Sequence, residues 1–283
     1  MIEKGKISAF QIEFMIVPAI IATGILTIPS IAISLAGHDV WLTPILGSFI
    51  GFLTVFIAWK LHEYFPSQTP VEYSEIIVGK WIGKLLGVLF VIFYLHNTGF
   101  IVREYSAFIT SNVMLHTPSL VFSVSILFIS AIAVRGGIEV IARCAVICTT
   151  LYLITSLSLL LLLKDINISY MLPFLEDGIV PVLKGSFVQQ AWFSEFFILA
   201  FLFPFMKSKD KGLKSGMKST LYVLGMFFYV MFFVLTILGM SAMNQFYPVY
   251  TVVKAISIMG FFENFEVLIT GSWVLGNFIK ITV

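Results

Sequence analysis

The sequence predicts an all-α membrane protein that crosses the bilayer about eight times, and three observations predict it. Residues of the apolar classes make up 59% of the chain and charged ones only 11%, where a soluble domain carries roughly 25% charge. With a mean hydropathy of +1.02, the surface needs lipid rather than water as its solvent. Apolar runs of spanning length, about 20 residues, recur along the whole chain. Finally, the Lys and Arg residues between those runs alternate in number, as retention of positive charge in the cytoplasm requires.

The runs fall at 10–36, 41–61, 85–114, 120–134, 142–163, 186–206, 217–243 and 261–281. With the N-terminus inside, thirteen of the seventeen Lys and Arg residues are cytoplasmic, Lys280 counted at the inner end of the last run. Outer loops hold only Lys164, Lys184 and Lys254, and Arg103 alone lies within a span. The cluster from Lys207 to Lys218 is a topogenic loop in this scheme rather than a specific lipid or partner site. The first run is too long for a cleavable signal and has no A-x-A-like site. A net charge of +2 without a basic stripe argues against nucleic acid. Cys144 and Cys148 lie one turn apart in an apolar run; two ligands are too few for a metal, so they serve as small packing residues. No metal quartet, nucleophile elbow or phosphate-binding loop is present, so neither an enzyme nor a cofactor is expected.

Helix-breaking and polar residues inside a span are costly unless they face a cavity. The first run has Thr23, Gly24, Ile25, Leu26, Thr27 and Pro29 at its middle. Gly costs about 1 kcal/mol against Ala, and Pro removes a donor and clashes one turn back. These features predict either a discontinuous helix or a simple proline kink. In a discontinuous helix, the amides near Gly24 and Ile25 would face the bilayer centre, where the half-helix dipole favours a carboxylate. The sixth run carries Gln189, Gln190, Trp192, Phe193, Ser194 and Glu195, then Pro204. A lone Glu195 at that depth must be protonated, paired or watered. Breaks in the first and sixth runs are the pattern of a LeuT-like five-plus-five inverted repeat, in which discontinuous helices frame a central site. The chain then forms one transmembrane domain over 1–283, with 7–163 as the first repeat and 186–283 as part of the second.

The third run adds His96, Asn97, Arg103 and Glu104. Arg103 is expected to snorkel or to pair with Glu104, Glu263 or Glu266 rather than to clamp a ligand. His96 reads as a packing histidine, with proton carriage as the other role open to it. The outer stretch 164–185 is either a lid over an outer vestibule or a plain connecting loop.

Several stretches resemble one family, the endospore germination permeases, which are B-type membrane subunits of spore germinant receptors within the amino acid–polyamine–organocation superfamily. The likeness starts at Ile7-Ser8-Ala9-Phe10-Gln11 and Thr23-Gly24-Ile25-Leu26-Thr27-Ile28-Pro29, the latter similar to a G-I-L-x-x-P pattern. It continues through Arg103-Glu104-Tyr105, Thr117-Pro118 and the turn from Arg135 to Arg143, which fits G-x-E-x-x-x-R. Ser194-Glu195-Phe196, Phe203-Pro204, Tyr247-Pro248 and the stretch from Phe262 to Glu266 complete it, with Ser194 where the family usually has glycine. The family has ten spans, so the resemblance implies two further helices beyond the eight counted.

The resemblance implies a receptor subunit of the spore inner membrane, assembled with A- and C-type subunits and embedded in the lipid bilayer. A small-molecule nutrient, an amino acid first among candidates, would bind between the first and sixth helices. Thr23, Gly24, Ile25, Leu26, Thr27, Asn97, Trp192, Phe193, Ser194 and Glu195 would form that site. Pro29, Arg103, Glu104, Glu263 and Glu266 would have structural or gating roles. The alternative is a proton-coupled amino acid transporter using the same pocket, with Glu195 or His96 as the proton site.

Overall fold

A computed structural model describes residues 5–257 and 265–283. They form an all-α protein: α1 (Ala9–Ala36), α2 (Thr43–Tyr64), α3 (Pro70–Val78), α4 (Lys80–Asn112), α5 (Ser119–Arg135), α6 (Ile138–Ser156), α7 (Ile179–Ser194), α8 (Leu199–Leu202), α9 (Gly212–Leu238), α10 (Pro248–Ser257) and α11 (Phe265–Thr282). Among the described residues, five continuous helical stretches are long and apolar enough to cross a membrane: Ala9–Tyr64, Lys80–Asn112, Ile138–Asp165, Ile179–Phe205 and Gly212–Asn244. The molecule is therefore a membrane protein.

At 1.5 Å per residue the 56 residues of Ala9–Tyr64 would reach about 84 Å if straight, well beyond a bilayer. The stretch bends at Gly37, whose φ of 58° lies in the region that only glycine adopts without strain. A short 3-10 turn (Gly37–Leu42) then leads into α2. Gly37→Ala should lower stability by more than about 1 kcal/mol, because alanine cannot relax at that φ. Thermal unfolding of the purified protein in detergent checks this.

α1 is the central helix. Its N-terminus is fixed by a capping box in which Ser8 Oγ accepts from the Gln11 amide (3.2 Å) and Gln11 Oε1 from the Ser8 amide (2.9 Å). Apolar nearly all round, α1 buries its surface against α6, α7, α9 and α11. The predicted discontinuity in this helix is corrected: α1 runs unbroken from Ala9 to Ala36, through Gly24 and with Pro18 and Pro29 inside it. Gly24 is a packing position rather than a break. A Cβ there would meet Phe227 Cζ at 2.9 Å and Trp192 Cδ1 at 3.0 Å, so the missing side chain lets α7 and α9 approach. Pro29 forfeits one helical hydrogen bond, a loss that membrane helices absorb.

The sixth run does change character at its middle. α7 ends at Ser194 and passes through a 3-10 turn (Glu195–Ile198) into the single turn of α8 and a second 3-10 turn (Phe203–Phe205). The helix tightens there instead of unwinding. α7 packs on both α1 and α2. Phe193, fully buried, lies where α2 has Gly47 and Gly51; a Cβ on Gly51 would sit 2.8 Å from its ring. Small residues four apart let membrane helices approach closely in this way.

At the cytoplasmic end in the predicted orientation, the N-terminal segment is held by backbone and charge. The Ile7 amide donates to Phe205 O and the Lys207 amide to Ile7 O, each at 2.9 Å. Lys6 Nζ donates to Pro204 O (3.1 Å), and Glu139 Oε1 accepts from the Lys6 amide (3.0 Å). Lys218 pairs with the buried Glu13 at 2.8 Å. At the opposite end, the segment before α7 folds over the turn between α1 and α2. Both carboxylate oxygens of the buried Asp39 accept from the Leu175 amide at 3.1 Å, and Trp41 stacks on Phe174 at 5.9 Å.

Candidate functional site: a cavity among α1, α4, α7 and the end of α11

A cavity of about 820 Å³ opens beside the middle of α1. Ala19, Ile20 and Thr23 of α1 form one wall, and Tyr94, Asn97 and Ile101 of α4 face them. Ala191, Trp192 and Ser194 end the α7 wall, which continues through Glu195, Phe197 and Phe201 of the tightened segment. Residues 280–283 of α11 and its end close the remaining side. The walls are mostly apolar with a few polar groups, the usual character of a small-molecule pocket.

Two polar contacts order the cavity. The Trp192 indole donates to Thr23 Oγ1 at 3.1 Å, fixing the ring against α1 where Gly24 leaves room. Glu195 accepts from Lys280 Nζ at 2.7 Å. The Lys280 side chain is only 4% exposed, whereas 27% of the Glu195 side chain is accessible, so Glu195 is the more accessible member of the pair. Glu104 stands behind the pair. Neither of its oxygens has a hydrogen bond among the described residues, and its polar neighbours are Lys280, Thr27 and Glu195.

The cavity thus brings together Thr23, Asn97, Trp192, Ser194 and Glu195 of the residues singled out from sequence. Gly24, Ile25 and Leu26 do not line it. The last two are buried, and the amides near Gly24 belong to an unbroken helix. Thr27 faces Glu104, Pro29 is buried in α1, and Phe193 is a packing residue between α7 and α2. His96 is exposed and outside the cavity walls.

Of the two expectations for Arg103, snorkelling or pairing, pairing with Glu104 or Glu266 is not found. Among the described residues Arg103 forms no ion pair with either. Adjacent residues on a helix do not face one another, so Arg103 points outward while Glu104 turns inward. Glu263 lies outside the described residues, and Glu266, at the start of α11, has one buried oxygen without a hydrogen bond.

Lys280, counted at the inner end of the last apolar run, is buried. The signal that could have found it is electrostatic: one Lys and one Glu, each within an apolar run, are tolerable only if they neutralise one another. Tyr94, Phe197 and Phe201 were missed because nothing in an apolar helical run marks which face meets a void.

Residues 6–283 match the model of a family described as spore germination protein. The chain is 28% identical to spore germination protein YndE of Bacillus subtilis (strain 168), over 97% of this chain and 77% of that protein. Identity to spore germination protein KB of the same strain is 25%, over 99% of this chain and 76% of the relative. For that strain's spore germination protein A2 the figures are 23%, 96% and 75%. With the match running through every helix that frames the cavity, the chain belongs to the spore germination protein family.

Proposed function

We propose that this chain is the membrane subunit of a nutrient germinant receptor, and that a small molecule, an amino acid first among candidates, binds in the cavity between spans one and six. The observation that carries this reading is a cavity of about 820 Å³ beside the middle of α1, lined by Glu195 and by a tryptophan that Thr23 holds in place. Thr23 lies fourteen residues beyond Ala9, about 21 Å up α1, and Glu195 sixteen beyond Ile179, about 24 Å down from the other side. Both depths are near the centre of a bilayer.

The architecture in this reading is the first eight spans of a five-plus-five inverted repeat, with α1 and the α7–α8 segment as repeat partners and the N-terminus in the cytoplasm. Direct packing of α1 on α7 beside the cavity supports that pairing. The receptor would sit in the spore inner membrane with A- and C-type subunits, in keeping with relatives named as germination proteins. Binding signals if occupied and empty conformations differ in ligand affinity.

A thermal-shift screen of the purified protein against amino acids tests the reading. A ligand at 100 times its dissociation constant should stabilise the protein by about 2.7 kcal/mol, and Ala191→Phe, which puts a ring into the cavity beside Trp192 and Glu195, should reduce that gain. No shift with any nutrient would count against it. The second reading, a proton-coupled transporter, is favoured by the same carboxylate within the cavity. It requires gradient-driven uptake into proteoliposomes that disappears in Glu195→Gln/Lys280→Met.

A further inference from the structure

We infer that Glu195 and Lys280 are the charge-recognition pair for a zwitterion, and that the ion pair between them is the closed form of the site. The inference rests on the cavity being the nutrient site, and deepens it by assigning each end of the ligand to a side chain.

An unbroken α1 leaves no free amides at Gly24 or Ile25 to receive a carboxylate. The charged groups that reach the cavity wall are Glu195 and Lys280, joined at 2.7 Å. A buried lysine demands a counter-charge, so any solute that separates the two must supply one to each. An α-amino acid does so from a single carbon: its ammonium takes the Glu195 carboxylate and its carboxylate takes the Lys280 ammonium. Charges then alternate through four groups, and none is stranded. A simple anion would satisfy Lys280 and orphan Glu195, a simple cation would do the reverse, and a neutral solute leaves the pair shut. Glu104 neighbours Lys280 as well, its carboxyl without a hydrogen bond among the described residues.

The same exchange has a mechanical consequence. Lys280 is on α11 and Glu195 opens the 3-10 segment after α7, so the ion pair ties two helices together across the cavity. Inserting a ligand parts them by the width of one amino acid backbone. Phe93, Phe197 and Phe201 on the walls suit an apolar side chain.

The test is titration of the purified full chain in nanodiscs with L-leucine, N-acetyl-L-leucine and L-leucinamide, which carry both charges, the negative one and the positive one. L-leucine should bind at least tenfold more tightly than either derivative. Glu195→Gln/Lys280→Met leaves no member of the pair stranded and should erase that preference. The exchanged pair Glu195→Lys/Lys280→Glu should retain it, because a reversed zwitterion meets the same charges. Equal binding of the three compounds, or a preference that survives in Glu195→Gln/Lys280→Met, overturns the inference and leaves the cavity as a ligand site. If L-leucine, L-alanine and L-phenylalanine all fail to bind the unaltered protein, the amino acid site and the inference fall together.

Discussion

Glu195→Gln alone is expected to destabilise the protein by about 3–5 kcal/mol, the cost of stranding a buried charge by removing its partner. Lys280 has only 4% of its side chain exposed; without Glu195 it must find another counter-charge, lose its proton or force the helices apart. Glu104 is near enough to soften the loss. The double variant Glu195→Gln/Lys280→Met should recover most of the stability, because the stranded charge goes as well. Unfolding midpoints of the three proteins in one detergent decide the matter. A single variant as stable as the parent would mean that Lys280 is hydrated or rests on Glu104 alone.

The second large effect separates two neighbouring aromatic residues. Phe193→Ala should cost about 3–5 kcal/mol, as for a fully buried phenylalanine, because its ring is packed against Gly47, Gly51, Phe196 and Phe227. Ligand affinity should change little, since Phe193 is behind the cavity wall. Trp192→Ala should do the opposite, weakening ligand binding through loss of the Thr23 contact while costing less stability, because the ring already borders a void. Measuring unfolding and binding on both variants checks the contrast. Equal binding losses in the two would place Phe193 in the site.

The membrane character of the chain was legible in its sequence because bilayer thickness and charge retention are strong constraints. The sixth helix was legible in part: Gln189, Ser194 and Glu195 signalled a disturbance, and a 3-10 turn starts at Glu195. Gly24 was misleading because a glycine that breaks a helix and one that admits a neighbouring ring look alike without the neighbour. Gly47 and Gly51 were silent for the same reason, since their meaning depends on Phe193, over 140 positions away. The short helix α3 was overlooked although Thr69 and Glu72 spell out its capping box, with Pro70 at the first position. Its nine residues are too few to register as a span. Lys280 needed a rule about partners rather than position.

The most direct measurement of the central claim is ligand protection of a reporter inside the cavity. Asn97→Cys, in a background of Cys144→Ala and Cys148→Ala, would put a thiol on the α4 wall. In spore membranes or proteoliposomes a small thiol reagent should label it, and an amino acid that triggers germination should slow that labelling at least tenfold at saturation. Labelling at the same rate with and without every triggering amino acid would contradict a ligand site between spans one and six.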